Sequence, residues 1–137
     1  MRSSRGLLLS VCLLTPACAE HLPDQDLRIL TASPGAKLSA DDLWKDFQKD
    51  PSAARRQYFG TAVDVSGRVS SFEADPTQTP HVFFGQPGGH GVRARLLDDR
   101  AAEIVKDAKA GDRLTLRCFC EGLDDQQDVL LKSCIRP

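Results

Sequence analysis

The segment Val63-Asp64-Val65-Ser66-Gly67-Arg68-Val69 alternates apolar and polar side chains. An alternation of period two is typical of a strand that buries one face and leaves the other in solvent. Gly67 falls on the apolar side of this pattern, where a glycine often marks a bend or a bulge. We therefore predict a half-buried strand that coils, as the strands of a small barrel do.

The flanking segments predict four more strands and two helices. Ser39 is a good N-cap for a helix that ends before Pro51, because a proline disfavours helical backbone in the residue preceding it. A second helix is predicted over residues 98–109, and strands over residues 81–84, 92–97, 113–121 and 129–135. The chain is therefore predicted to be mainly β. This order is that of a five-stranded OB-fold barrel, with an N-terminal helix and a helix between strands 3 and 4.

The first 19 residues are predicted to be a signal peptide. Arg2 and Arg5 precede a short apolar stretch, and Ala17-Cys18-Ala19 supplies the small residues of a cleavage site. The apolar stretch is far shorter than the ~20 residues that a membrane-spanning helix needs. Cleavage after Ala19 is favoured and would release the protein, whereas Cys18 is a candidate lipidation site. We expect an exported protein, periplasmic or secreted, that meets a membrane only through a lipid anchor at Cys18.

The remainder of the 137-residue chain is long enough for one domain. Residues 20–38 contain Pro23, Pro34 and Gly35 and are predicted to be a loosely ordered spacer. Residues 39–137 are predicted to hold the OB-fold domain.

The charge balance argues against a polyanionic partner. The chain has 18 Lys and Arg against 19 Asp and Glu, and two of the arginines lie in the predicted signal peptide. Proteins that bind nucleic acid contact its phosphates mainly through clustered Lys and Arg. We therefore expect a small ligand, a glycan or a protein as partner rather than nucleic acid.

One group of residues on the second and third predicted strands is a candidate ligand site. Phe83 and Phe84 are adjacent, so one of them points outward, and an outward aromatic on strand 2 is where OB barrels often stack a base or a sugar. Arg93 and Arg95 share a face of strand 3 and add positive charge. We take Phe84, Arg93 and Arg95 as the candidate ligand-binding residues.

The chain resembles the tRNA_anti-like family of bacterial OB-fold proteins, known mostly from exported members that carry a short helix before the barrel. The resemblance extends from about Leu38 to the C-terminus. It rests on Asp42-Leu43-Trp44 with Phe47, Ala54 with Tyr58-Phe59-Gly60, Val65 to Val69, Ala110-Gly111-Asp112, Cys120-Glu121-Gly122, and Val129-Leu130-Leu131 with Cys134-Ile135. These motifs are structural, so the resemblance implies the OB fold and not a particular ligand.

Three cysteines follow the predicted signal peptide, and export to an oxidising compartment favours a disulfide among them. The resemblance implies the pair Cys120–Cys134, because the matching positions of the family are cysteines. Strict alternation puts Cys120 and Cys134 on opposite faces, so this pair requires a bulge near residues 119–122. The alternative pair, Cys118–Cys134, has the same parity problem and stays open.

No pattern in the sequence predicts catalysis. No nucleophile and base occur together in a recognisable motif, and the spacing of Cys118 and Cys120 does not suit a zinc site. We therefore expect no enzyme activity, metal or cofactor. The leading hypothesis is a non-enzymatic OB-fold binding or interaction module of the cell envelope. The alternative is a protein that binds single-stranded nucleic acid or another anionic oligomer through strands 2 and 3.

Overall fold

The computed structural model describes residues 21–74 and 79–137, so the predicted signal peptide and Cys18 lie outside the described residues. The elements run in the order 3-10 helix Leu27–Leu30, β1 Ala36–Ser39, α1 Ala40–Lys49, α2 Pro51–Tyr58, β2 Ala62–Ala74, β3 Pro80–Gly85, β4 Gly91–Leu96, α3 Asp98–Asp107, β5 Arg113–Leu123 and β6 Val129–Ile135.

Five of the strands form a closed barrel. The strands β2, β3, β4, β6 and β5 pair in this order, and β5 pairs again with β2. The β4–β6 pair is parallel, and the other four pairs of the ring are antiparallel. This confirms the predicted OB-fold barrel, in which β3 and β4 are the predicted strands 2 and 3. The short strand β1, which was not predicted, pairs in parallel with the first half of β2 outside the ring.

The alternation that predicted β2 is the one that fills the barrel. Val63, Val65 and Val69 are buried in the main core together with inward residues of every other barrel strand. Helix α1 adds Leu43 and Phe47 to this core, and α3 adds Ile104. The helices therefore close over the apolar interior that the strands enclose.

The segment before β1 differs from the predicted loose spacer. Ile29, in the 3-10 helix, is fully buried in a second apolar cluster with Ala62, Leu97 and Ile135. The backbone N–H of Asp26 donates a hydrogen bond of 2.7 Å to Ser133 Oγ on β6. Residues 21–38 thus pack on the outside of the barrel, because one apolar side chain and several polar contacts hold them there.

The disulfide joins Cys118 to Cys134, and Cys120 is a free, buried thiol. The predicted pair Cys120–Cys134 was therefore wrong, and the alternative pair is the one that forms. Residue 117 lies opposite 135 and residue 119 lies opposite 132, so two residues of β6 oppose Cys118 alone. This bulge, with Ser133 at φ 58°, brings Cys134 to the side of Cys118. Burial raises the pKa of Cys120 to about 12, which keeps its thiol protonated.

Candidate functional site

One edge of β2 has a gap between its strand partners. On this edge β1 pairs with β2 as far as Ser66, and β3 pairs with it from Val69 onward. Gly67 and Arg68 therefore have no strand partner on this side. Edge backbone that no strand covers is a place where a ligand can approach the chain closely.

A cleft opens at this gap, and we call it the edge cleft. Its volume is about 960 Å³, at the upper end of the range typical of small-molecule sites. It lies between the start of α1, the bend of β2, the β3–β4 loop and the turn before β5. Its lining includes Asp41, Trp44, Gly67, Arg68, Phe84 and Arg113.

Aromatic side chains form the apolar part of the edge cleft. Trp44 is half-buried on α1, and Ser39 holds the start of this helix by accepting a hydrogen bond of 3.0 Å from the Asp42 N–H. Phe84 packs tightly under Gly67, where a Cβ atom would lie only 2.9 Å from the Phe84 ring. A glycine at position 67 thus lets the β2 backbone lie directly on the Phe84 ring.

The β3–β4 loop forms the opposite wall and is held in place by Asp128. The Gly91 N–H donates a hydrogen bond of 2.9 Å to Asp128 Oδ1, and His90 Nδ1 lies 3.4 Å from the same oxygen. The Gly-rich loop between β3 and β4 is therefore a structured hairpin connection. Asp128, in the β5–β6 loop, thus joins two loops at the same end of the barrel, where the parallel strands β4 and β6 begin.

The structure places the predicted aromatic residue of the ligand site inside the barrel. Phe84 is only 2% exposed and belongs to the core, whereas Phe83 has the outward parity. Phe83 is itself only 5% exposed, because the Arg93 guanidinium lies 5.4 Å from the centre of its ring. The prediction that Phe84 presents an open stacking surface on the outer face was therefore wrong, although its ring borders the edge cleft.

The two predicted arginines lie on the outer face of β4 and are neutralised by carboxylates. Arg93 pairs with Glu73 and, at 3.3 Å, with Asp128. Arg95 pairs with Asp24 of the N-terminal segment at 3.0 Å. A smaller cavity of about 480 Å³ borders Phe83, Arg93 and the β3–β4 loop. The predicted residues thus do not form one site: Phe84 faces the edge cleft, and the arginines lie on another surface.

The lining residues that were not taken as site residues from the sequence include Trp44, Arg68 and Arg113. Trp44 shares helical spacing with Leu43 and Phe47, which predicts a core residue. Arg68 and Arg113 come together only because β2 pairs with β5 across the barrel. That pairing joins segments far apart in sequence, so no local pattern could predict it.

Two negative findings apply to the described parts of the chain. Residues 21–74 and 79–137 contain no group of three or more His, Cys, Asp or Glu side chains placed to hold a metal ion. Within the same ranges, no helix is long and apolar enough to span a bilayer.

Comparison with known proteins gives a family and a structural neighbour. The family model described as tRNA_anti-like matches residues 7–135. A solved structure from Klebsiella pneumoniae subsp. pneumoniae MGH 78578, named "putative nucleic acid-binding lipoprotein", is 14% identical with a TM-score of 0.55. The match covers 80% of this chain and 95% of that one, and at this identity it concerns the fold. No curated protein gives a significant match.

Proposed function

The chain belongs to the tRNA_anti-like family, and we propose that it is a non-enzymatic binding module of the cell envelope whose ligand occupies the edge cleft. The observation that carries this proposal is the gap in the β2 edge, which opens a cleft of about 960 Å³ bordered by the half-buried Trp44 ring. Such a cavity, which combines apolar and polar lining residues, is a usual form of a small-molecule site.

The side chains of the edge cleft support binding rather than catalysis. Its three serines each make a structural hydrogen bond: Ser39 with the α1 backbone, Ser66 with Thr115, and Ser70 with the Gly85 carbonyl. A serine nucleophile instead needs a base within hydrogen-bond reach. None of these contacts provides one.

Export is supported by the disulfide and by the name of the structural neighbour. A disulfide inside a small domain is typical of proteins that mature in an oxidising compartment. The neighbour is named a lipoprotein, which agrees with Cys18 as a candidate lipidation site. The proposal therefore includes one of two fates: cleavage after Ala19 with release of the protein, or cleavage before Cys18 with lipid anchoring at that cysteine.

The experiment uses a neutral aromatic dye, N-phenyl-1-naphthylamine. Trp44 is the single tryptophan of the chain, so energy transfer from tryptophan to the dye reports binding to the protein, and the substitutions below locate the site. We expect one saturable site per chain. Trp44→Ala should weaken binding about tenfold, as measured by the fluorescence of the dye itself.

The control for this experiment is Val105→Ala. Val105 is 39% exposed on α3 and does not border the edge cleft. This variant should bind the dye as the parent protein does. If dye binding is unsaturable, or if Val105→Ala weakens it as much as Trp44→Ala does, the edge cleft is not the binding site.

The second candidate function is binding of single-stranded nucleic acid through the outer face of β3 and β4. The name of the structural neighbour favours it and weakens the expectation that nucleic acid is excluded. The Arg93 guanidinium lies over the Phe83 ring. An aromatic ring can stack on a base, and a guanidinium can bind a phosphate. Glu73 and Asp128, the carboxylate partners of Arg93, oppose such binding.

An oligothymidylate titration at two salt concentrations tests this candidate. Binding that weakens with salt in the parent protein, and that is lost in Arg93→Glu/Arg95→Glu, would support it. An absence of salt-dependent binding in the parent protein eliminates it.

A further inference from the structure

The outer faces of β2 and β5 carry a row of cross-strand pairs that ends at the edge cleft. Asp64 lies opposite Arg117, and the two form a two-pronged ion pair at 2.7 and 3.0 Å. The next pair on the same face is Ser66 and Thr115, whose hydroxyls lie 2.8 Å apart. The third pair brings two arginines, Arg68 and Arg113, directly opposite each other. Two complementary pairs are thus followed by a pair of like charges.

Neither arginine of the third pair has an ion-pair partner among residues 21–74 and 79–137. Arg68 donates a single hydrogen bond of 3.3 Å to the Gly111 carbonyl, and its charge is not balanced by it. Elsewhere on the surface Arg28, Arg93 and Arg117 each pair with a carboxylate. Like charges directly opposite on an antiparallel pair destabilise the sheet. Arg68 and Arg113, both exposed, therefore repel each other weakly, and an anion between them would relieve this repulsion.

Both side chains border the edge cleft at the β2–β5 end, whereas Trp44 supplies an accessible aromatic ring on the α1 side. Asp41, the acidic residue of the lining, lies at the α1 side and pairs with Lys45 at 2.7 Å. The cleft is thus cationic at one end and has an aromatic ring on its α1 side. It suits a compact ligand with one anionic group better than a long polyanion, which needs a continuous basic track.

We propose that the ligand of the edge cleft is a small organic anion whose acidic group lies between Arg68 and Arg113 and whose apolar part lies against Trp44. A carboxylate, a sulfate or a phosphate shares this chemistry, because each accepts charge-assisted hydrogen bonds from guanidinium groups. The inference rests on the proposed function, because it assigns a ligand class to the same cleft.

Two dyes that differ only in a sulfonate group test the inference. 1-Anilinonaphthalene-8-sulfonate is the anionic counterpart of N-phenyl-1-naphthylamine. The anionic dye should bind more tightly than the neutral one, and salt should weaken its binding. Arg68→Gln/Arg113→Gln should reduce affinity for the anionic dye about tenfold or more and leave the neutral dye unchanged.

The matched control is Arg56→Gln/Arg100→Gln, which removes the same charge from two exposed arginines that do not border the cleft. It should alter the affinity for neither dye. Equal loss in the two double variants, or equal binding of the two dyes by the parent protein, overturns the inference while the cleft remains a binding site. If neither dye binds saturably, the proposed function fails and the inference fails with it.

Charge reversal separates a ligand role from a structural one. Arg113→Glu places a carboxylate opposite Arg68, so the urea midpoint of unfolding should rise while preference for the anionic dye is lost. Lys37→Glu, which reverses an exposed charge on β1 away from the cleft, should change neither quantity appreciably. A fall in the midpoint on Arg113→Glu would show that the two arginines do not repel each other in the folded protein, and it would overturn the inference.

Discussion

The disulfide partner of Cys134 depends on a β-bulge that the local sequence around Cys134 does not predict. Cys118 and Cys120 share a parity on β5, and both are buried. Cys120 lies opposite Leu131, so its side chain cannot reach Cys134. The extra residue on β6 places Cys134 beside Cys118, where the Cα atoms are 4.3 Å apart. Parity indicated that a bulge was needed and placed it near residues 119–122 of β5, whereas the bulge that sets the disulfide is the extra residue of β6.

Removal of single cysteines should distinguish the two pairs. Cys118→Ala should lower the free energy of unfolding by about 3 kcal/mol, because it opens a loop that spans 16 residues. Cys120→Ala should keep the cross-link and cost about 1 kcal/mol for the small cavity it leaves. Urea unfolding and intact mass with and without thiol alkylation measure both effects. A Cys120→Ala protein with two alkylated thiols before reduction would contradict the observed pairing.

Glu121 is a second residue whose setting comes from a bulge. Residue 120 lies opposite 131 and residue 122 lies opposite 130, so Glu121 is the extra residue of β5. Its carboxylate is buried and lies 2.6 Å from Lys132 Nζ and 2.9 Å from His21 Nδ1. Burial on its own would raise the pKa of Glu121, but the hydrogen bonds from Lys132 and His21 outweigh it and hold the pKa below its ordinary value.

This lowered pKa predicts a pH-dependent contribution to stability. A carboxyl whose pKa is lower in the folded protein stabilises it above the unfolded-state pKa of about 4.3, and the effect is lost as the pH falls through the folded-state pKa. The stability difference between the parent protein and Glu121→Gln should therefore be largest at neutral pH and shrink below about pH 4. Urea unfolding across this range measures it. Glu103→Gln, on exposed α3, is the control, and a pH-independent difference for Glu121→Gln would refute the account.

At the scale of elements, the sequence predicted those whose pattern is local and regular. The valine alternation of β2 and the capped start of α1 are both present in the structure. Strand β1 was missed because it has only four residues and owes its conformation to pairing with β2. The orientation of Phe84 was within reach of the sequence, since Val82 lies two residues earlier and shares its parity. The sequence could not predict that Arg68 and Arg113 face each other, because they lie on strands β2 and β5, which are far apart in the chain.

The hairpin of β3 and β4 should be intolerant of a side chain at its closing glycine pair. Gly85 lies opposite Gly91, and a Cβ atom at Gly91 would overlap the carbonyl oxygen of Phe84. Gly91→Ala should therefore cost about 3 kcal/mol of folding stability. Gly88→Ala lies in the same loop with open space around it, and only its φ of +74° opposes a side chain, at a cost of about 1 kcal/mol. Thermal and urea unfolding measure the stability of the two variants. Equal losses of stability would mean that the backbone around Gly91 and Phe84 can move apart to accommodate a side chain.

At the scale of the whole molecule, the N-terminal segment completes the outer surface of the barrel. Lys132 on β6 binds the Leu22 carbonyl and the Asp24 carboxylate, each at 3.0 Å. Arg95 on β4 also pairs with Asp24, and Ile29 fills an apolar hollow beside Ile135. These contacts reach two neighbouring strands of the ring, the parallel pair β4 and β6. The segment therefore covers Lys132, Arg95 and Ile135, which would be exposed to water without it.

A protein that starts at Ser39, the predicted start of the domain, should consequently be much less stable than one that starts at Glu20. Removing the buried side chain of Ile29 should by itself lower the free energy of unfolding by about 2–5 kcal/mol. The shorter protein also lacks most of β1 and the N-terminal partners of Lys132. We expect a drop of about 4 kcal/mol or more, a large part of the stability of a domain of this size. Ile29→Ala should reproduce much of that loss, whereas Leu30→Ala, at a residue that is 42% exposed, should stay within about 0.5 kcal/mol of the parent protein. Equal urea midpoints for the two lengths of chain would mean that the barrel folds without this segment, and that residues 20–38 serve as a spacer after all.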